Sequence, residues 1–139
     1  MLVRMDLARV IIVETSDSQI IILRERDGHR QFPILIGTHE ALAIDRRVKG
    51  IESPRPLTHD LIGRIVESMG GELESIMIND LQDHTFYAKL VVRRDGDRIE
   101  IDSRPSDAIA LGVSNSTPIY VEEDVLRAVC GPEESAPEG

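Results

Sequence analysis

Aromatic residues are nearly missing from this 139-residue chain, which has two Phe, two Tyr and no Trp. That argues against a module that holds single strands by stacking bases on aromatic platforms, and it leaves Ile, Val, Leu and Ala to build the core. Cys130 is the only cysteine, so neither an internal disulfide nor a thiol metal knuckle can form. Lysine is scarce as well: Lys49 and Lys89 stand alone among sixteen basic residues. The arginine that replaces it suits planar contacts to phosphate or carboxylate, although a GC-rich coding sequence accounts for it equally well. Twenty-five acidic residues leave a formal charge of −9, and no basic run offers a salt-sensitive grip on nucleic acid. Chemistry on a polyanion would need a local positive pocket, a bound cation or both. No apolar run approaches a membrane span, and the early charges of Arg4 and Asp6 do not fit a signal peptide. A cytoplasmic protein with no membrane partner is the expectation. Phosphate-cradling glycine loops, H-E-x-x-H and nucleophile-elbow motifs are all missing.

What is present is a steady alternation of element signals in a length that suits one domain. Leu7 to Val13 reads as a buried strand, 15–19 as a turn, and Ile20 to Leu23 as a strand covered on both faces, since it shows no alternation. Asp27-Gly28 signals a hairpin whose return strand is Gln31 to Ile36. A helix is expected from Thr38 or His39 to Val48, ended by Gly50. After the extended connector 51–56, Thr58 is the expected N-cap of a helix over 58–70, with Leu57 and Ile62 as a hydrophobic staple. Leu61, Ile62, Ile65, Val66 and Met69 form its apolar stripe. Three strands in an antiparallel meander follow, Leu73 to Ile78, Thr85 to Val92 and Arg98 to Ser103. A helix over 105–112, a strand over 118–121 and a helix over 122–129 complete the order. The fold class is α+β: a single compact domain over residues 1–130, with a mixed or antiparallel sheet packed with three to four short helices. Residues 131–139 form a polar tail that is expected to be disordered.

The chemistry-bearing stretch is IDSRPSDAIALGV, residues 101–113, a strand running straight into a helix. It gathers Asp102, Arg104, Ser106 and Asp107 at an element boundary, where sites often lie. Pro105 suits the first helical position, and Asp107 the first turn. A structural role is equally available: Asp107 stabilising the helix end and Arg104 pairing with Asp102. Glu40 sits in the first turn of its helix, fit for capping. His59 and Asp60 open another helix, either as an acid–base pair or metal ligands, or as a solvated His beside a dipole-stabilising Asp.

Four blocks in order, FPILIGTHEALAI (32–44), RPLTHDL (55–61), HTFYAKLVV (84–92) and IDSRPSDAIALGV with PIYV (101–113 and 118–121), resemble the bifunctional nuclease family. The likeness spans roughly residues 3 to 130. It implies a single-domain α+β fold, usually oligomeric, with plant members described as cleaving both RNA and DNA. The motif positions carried over are Glu40, Thr58, His59, Asp60, Asp102, Arg104, Ser106 and Asp107. The expectation is a nuclease hydrolysing phosphodiester bonds of DNA or RNA as substrates it does not bind tightly. Catalysis would rest on Asp102, Arg104, Asp107 and His59, and substrate contacts on Arg104, Ser106, Thr58 and Glu40. Asp102, Asp107 and Asp60 would hold Mg²⁺ or Mn²⁺, hard ions that favour oxygen. This requires the start of the 58–70 helix to lie beside the 102–107 junction. The alternative is a non-catalytic binding or regulatory module whose polar face is a subunit or small-anion interface. A homodimer, or a higher homo-oligomer, is the default assembly. Gly112 stands where a helix former such as Ala is expected, which predicts a loosened helix end.

Overall fold

Two half-sheets are joined in this protein by the strand that comes last in sequence. The computed structural model describes residues 1–131, so the expected disorder of the tail falls outside them. β1 (Leu2–Ile11), β2 (Ser18–Glu25) and β3 (Gln31–Gly37) form one antiparallel run. β4 (Gly71–Gln82), β5 (Thr85–Arg94) and β6 (Asp97–Ser103) form the expected meander. β7 (Ile119–Glu122) lies between them, antiparallel to β1 and parallel to β4. Among the described residues the result is one seven-stranded sheet, β3-β2-β1-β7-β4-β5-β6, which with four helices makes a single compact α+β domain.

The helices are α1 (Thr38–Val48), α2 (Thr58–Ser68), α3 (Pro105–Gly112) and α4 (Glu123–Cys130). One core joins Ile21, Leu23, Ile76, Ile78, Ala88 and Leu90 of the sheet with Ala41 and Ile44 of α1, Ile109 of α3 and Leu126 of α4. α1 ends with Gly50 at φ +70° and the Ile51 amide bonded to the Arg46 carbonyl, a close that glycine makes easily. α4 is fastened by a buried ionic cluster in which Arg30 donates to Glu25 at 2.6 Å and to Glu123 at 2.8 Å. Arg30 holds the Glu123 carboxyl down to about 2.

Several sequence expectations are corrected. β1 starts at Leu2 rather than Leu7, because Arg4 and Asp6 alternate outward while Met5 points into the core. It stops at Ile11, where the buried Gln19 side chain takes over the Val13 amide and carbonyl. Ile20 and Ile22 are only half-buried beside the buried Ile21 and Leu23, so β2 is not covered on both faces. Leu57, not Thr58, is the N-cap of α2, and Asp60 accepts the Leu57 amide at 3.1 Å. Leu57 and Ile62 both remain over a third exposed, which leaves no closed staple. Gly112 is a packing requirement: a Cβ there would stand 2.8 Å from Ile76 Cδ1 and 2.9 Å from Thr117 Cβ. The two turns of the meander, Asp83-His84 and Asp95-Gly96, have positive φ at both central residues, the form that matches strand twist.

Candidate active site

The first turns of α2 and α3 meet. His59, one residue into α2, places Nε2 3.0 Å from Asp107 Oδ1 in the first turn of α3. The other carboxylate oxygen of Asp107 accepts a hydrogen bond from Arg104 Nε at 2.8 Å and lies 2.7 Å from its terminal nitrogen Nη2 as an ion pair. Arg104 is the N-cap residue of α3, ahead of Pro105 at the first helical position. Its remaining nitrogen lies 3.3 Å from Glu40 Oε1 at the start of α1. The result is a chain of four side chains, Glu40–Arg104–Asp107–His59, built where three helices begin.

The two ends of that chain are more buried than its middle. Glu40 and His59 are 14% and 13% exposed, Asp107 34% and Arg104 66%. The paired carboxylates, Asp107 first and then Glu40, raise the Arg104 guanidinium above its ordinary pKa. With His59 neutral the four groups sum to −1; with His59 protonated they sum to zero. Arg104 is therefore a held cation rather than a free one.

Asp60 and Asp102 are placed elsewhere. Asp60 pairs with Arg47 of α1 and accepts the Leu57 amide, so both of its oxygens are engaged. Asp102 stands opposite Lys89 in the sheet, on the face away from Ala88 and Leu90 and therefore away from the helices. Arg104 does not pair with it. Thr58 is exposed and Ser106 is buried within α3. Mg²⁺ and Mn²⁺ take about six oxygen ligands. Both oxygens of Asp107 and of Asp60 are already taken, and Asp102 faces the opposite way. Among the described residues no three His, Cys, Asp or Glu side chains converge as a metal site. The expected acidic set does not form a ready cage for such an ion.

Sequence reasoning did not single out Arg47. Besides Asp60 it donates to the Leu111 carbonyl at 3.0 Å and to Ser114 Oγ at 2.7 Å, tying α1, α2 and the end of α3 together. These partners lie 13 to 67 residues away, so no local spacing could have pointed to it. Arg47 and His59 line a groove of about 950 Å³ between α1, α2 and the start of β4. Arg46, Arg64 and Arg93 also line it, but so do Glu52, Glu67, Glu72 and Glu74. Such a mixed wall fits weak contact with a charged chain rather than tight electrostatic binding. No helix of the described residues is long and apolar enough to cross a membrane.

Residues 21–133 match the model of the bifunctional nuclease domain. An uncharacterized protein of Mycobacterium tuberculosis is 46% identical over 117 residues, covering 84% of this chain and 70% of its own. Bifunctional nuclease 2 of Oryza sativa subsp. japonica is 27% identical over 118 residues, 82% of this chain and 36% of its own. Bifunctional nuclease 2 of Arabidopsis thaliana is 25% identical over 107 residues, 74% of this chain and 32% of its own. The chain thus spans about a third of the length of these plant relatives.

Proposed function

The chain belongs to the bifunctional nuclease domain family, and on that premise we propose that it hydrolyses phosphodiester bonds of nucleic acid at the His59–Asp107 pair. The single observation that carries the reading is the 3.0 Å contact between His59 Nε2 and Asp107 Oδ1, with Arg104 on the second carboxylate oxygen. Asp107 fixes the imidazole ring and compensates its charge when protonated, as a carboxylate does in other acid–base pairs. Nδ1 is then the atom that takes a proton from the attacking water. The same proton passes to the departing oxygen, so the P–O bond to water forms as the ester P–O bond breaks. Arg104 meets the non-bridging oxygens, and the groove beside His59 receives the chain on either side of the cut.

Mg²⁺ or Mn²⁺ enters this reading as an ion accompanying the polyanion, because a −9 chain meeting phosphate gains from a counter-ion. No step above depends on it. The assay is cleavage of plasmid DNA and of RNA with Mg²⁺, with Mn²⁺ and with EDTA. Wild type is compared with folded His59→Gln and Asp107→Asn, each expected to lose about 10²-fold or more. Activity surviving both substitutions sinks this site.

One observation favours a second reading, a binding or regulatory module: Arg104 is satisfied on both sides by carboxylates. Folded wild type that cleaves neither substrate under any of these conditions would leave that reading standing.

A further inference from the structure

β6 ends the sheet, and among the described residues no strand pairs with its outer edge. Natural sheets protect such edges with charged side chains, lysine above all, and with proline or bulges; the strand DRIEIDS has charges of both signs but no lysine, proline or bulge. Ile99 stands opposite Val92 and Ile101 opposite Leu90, so both isoleucines lie on the helix-bearing face. Yet they are 40% and 42% exposed, because nothing covers that face at its margin.

α2 packs on β4 and α3, on the same face of the sheet as the two isoleucines. It is anchored at its start by His59 on Asp107 and near its end by Val66, where Gly71 sits against both Val66 and Val92. Its polar side, with Asp60, Arg64 and Glu67, lines the groove. The other flank holds Ile62, Ile65 and Met69, which are 37%, 48% and 60% exposed and turn away from the groove at helical spacing. α2 contributes no buried residue at all. An apolar helix flank and an apolar strip of open sheet edge are therefore both left uncovered.

We propose that this margin joins a second copy of the chain, with β6 pairing antiparallel to β6 about a two-fold axis at Glu100. The choice of occupant rests on the strand's own order of residues. In that register Ile99 faces the other copy's Ile101, and Arg98 faces the other copy's Asp102, each twice. Asp97 meets Ser103, and the whole strand is used. The two Glu100 side chains approach on the axis, but Lys89 already neutralises each at 3.1 Å. Shifting the axis to Ile101 sets Glu100 against Asp102 and Arg98 against Arg104. Shifting it to Ile99 leaves Ile101 against Asp97. Of these three registers only the one centred on Glu100 sets isoleucine on isoleucine and arginine on aspartate, and it makes a symmetric, closed pair. The four isoleucines of the two copies then form one continuous apolar strip across the junction. Asp102 is assigned to this junction, which fits its position on the face away from His59. The inference is independent of the nuclease reading.

The test is sedimentation equilibrium of the full chain over the micromolar range, where dimers are expected. Ile101→Lys, at a position already exposed, should leave circular dichroism unchanged and give monomers. Arg98→Asp should raise the dimer dissociation constant roughly tenfold, and adding Asp102→Arg should restore it. Glu100→Cys in a Cys130→Ser background should oxidise to a disulfide dimer, because residues opposed across an antiparallel pair bring their Cα atoms within about 5.5 Å. A monomer at every concentration overturns the proposal. So does a dimer that ignores Ile101→Lys and gives no cross-link with Glu100→Cys.

Discussion

α2 and α3 each supply half of the His59–Asp107 contact, yet they are held in the protein by opposite means. α3 is apolar on nearly every side: Pro105, Ser106, Ala108, Ile109, Ala110, Leu111 and Gly112 are all buried, and only Asp107 reaches outward. It lies so close to the sheet that Gly112 admits no Cβ. α2 has the stronger amphipathic pattern in sequence but buries no residue. Two side-chain contacts at its start, His59 to Asp107 and Asp60 to Arg47, locate it as much as packing does. Hydrophobic periodicity says which face is apolar; it does not say that the face is used within one copy. A rigid carboxylate facing a more loosely seated histidine is the outcome here.

That contrast can be tested by substitution. Ile109→Ala in α3 opens a cavity under a fully buried side chain and is expected to cost about 2–5 kcal/mol in urea unfolding. Next comes acid, applied to α4, which is secured by the Arg30–Glu123 pair. Glu123 normally titrates near 4.5 and is held down to about 2. Its contribution is therefore whole above pH 4.5 and is lost as pH falls through about 2, on the order of 2–3 kcal/mol. Replacing Glu123 with Gln should flatten that limb of the stability–pH curve, while His59→Gln should not. The glycines give a third comparison. Gly112→Ala meets Ile76 and Thr117 at under 3 Å and should cost about 1–3 kcal/mol. Gly63→Ala in α2 meets only Leu111, at 3.7 Å, and should gain about 0.5–1 kcal/mol of helix stability. Ile65→Ala should have the smallest effect, within about 0.5 kcal/mol, measured on the Ile101→Lys background to separate folding from self-association. If Ile65→Ala costs as much as Ile109→Ala, the contrast between the helices fails.

The same contrast explains what the sequence could reveal. Elements whose signal is local were legible: α1 from its 3–4 spacing and Gly50 close, the β4–β5–β6 meander from its turn residues, and Pro105 with Asp107 at the start of α3. The meeting of His59 with Asp107 is a contact between residues 48 apart. Its ingredients could be read in sequence, but its geometry could not. Asp102 was misleading because the strand ends at Ser103 and the chain turns into α3 at Arg104, so closeness to Arg104 in sequence did not carry across the strand–helix junction. Arg47 gave no sign, having only distant partners. Gly112 looked like a weakness because nothing in a one-dimensional pattern shows how near Ile76 and Thr117 come. The insertion of β7 between β1 and β4 was equally hidden, since four residues carry no mark of which strands they will join.

That insertion has a consequence for how the chain is made. Leu2 pairs with Glu122 and Met5 with Ile119, so β1 leaves the ribosome long before the strand it pairs with. Until about residue 122 has emerged, β3-β2-β1 and β4-β5-β6 are two ribbons with unpaired inner edges, and α4 has not brought Glu123 to Arg30. Long-range closure of this kind is slow, and open edges are sticky while it is pending. Ribosome-bound chains stopped before β7 should therefore be cut readily by protease, and those released after α4 should resist it.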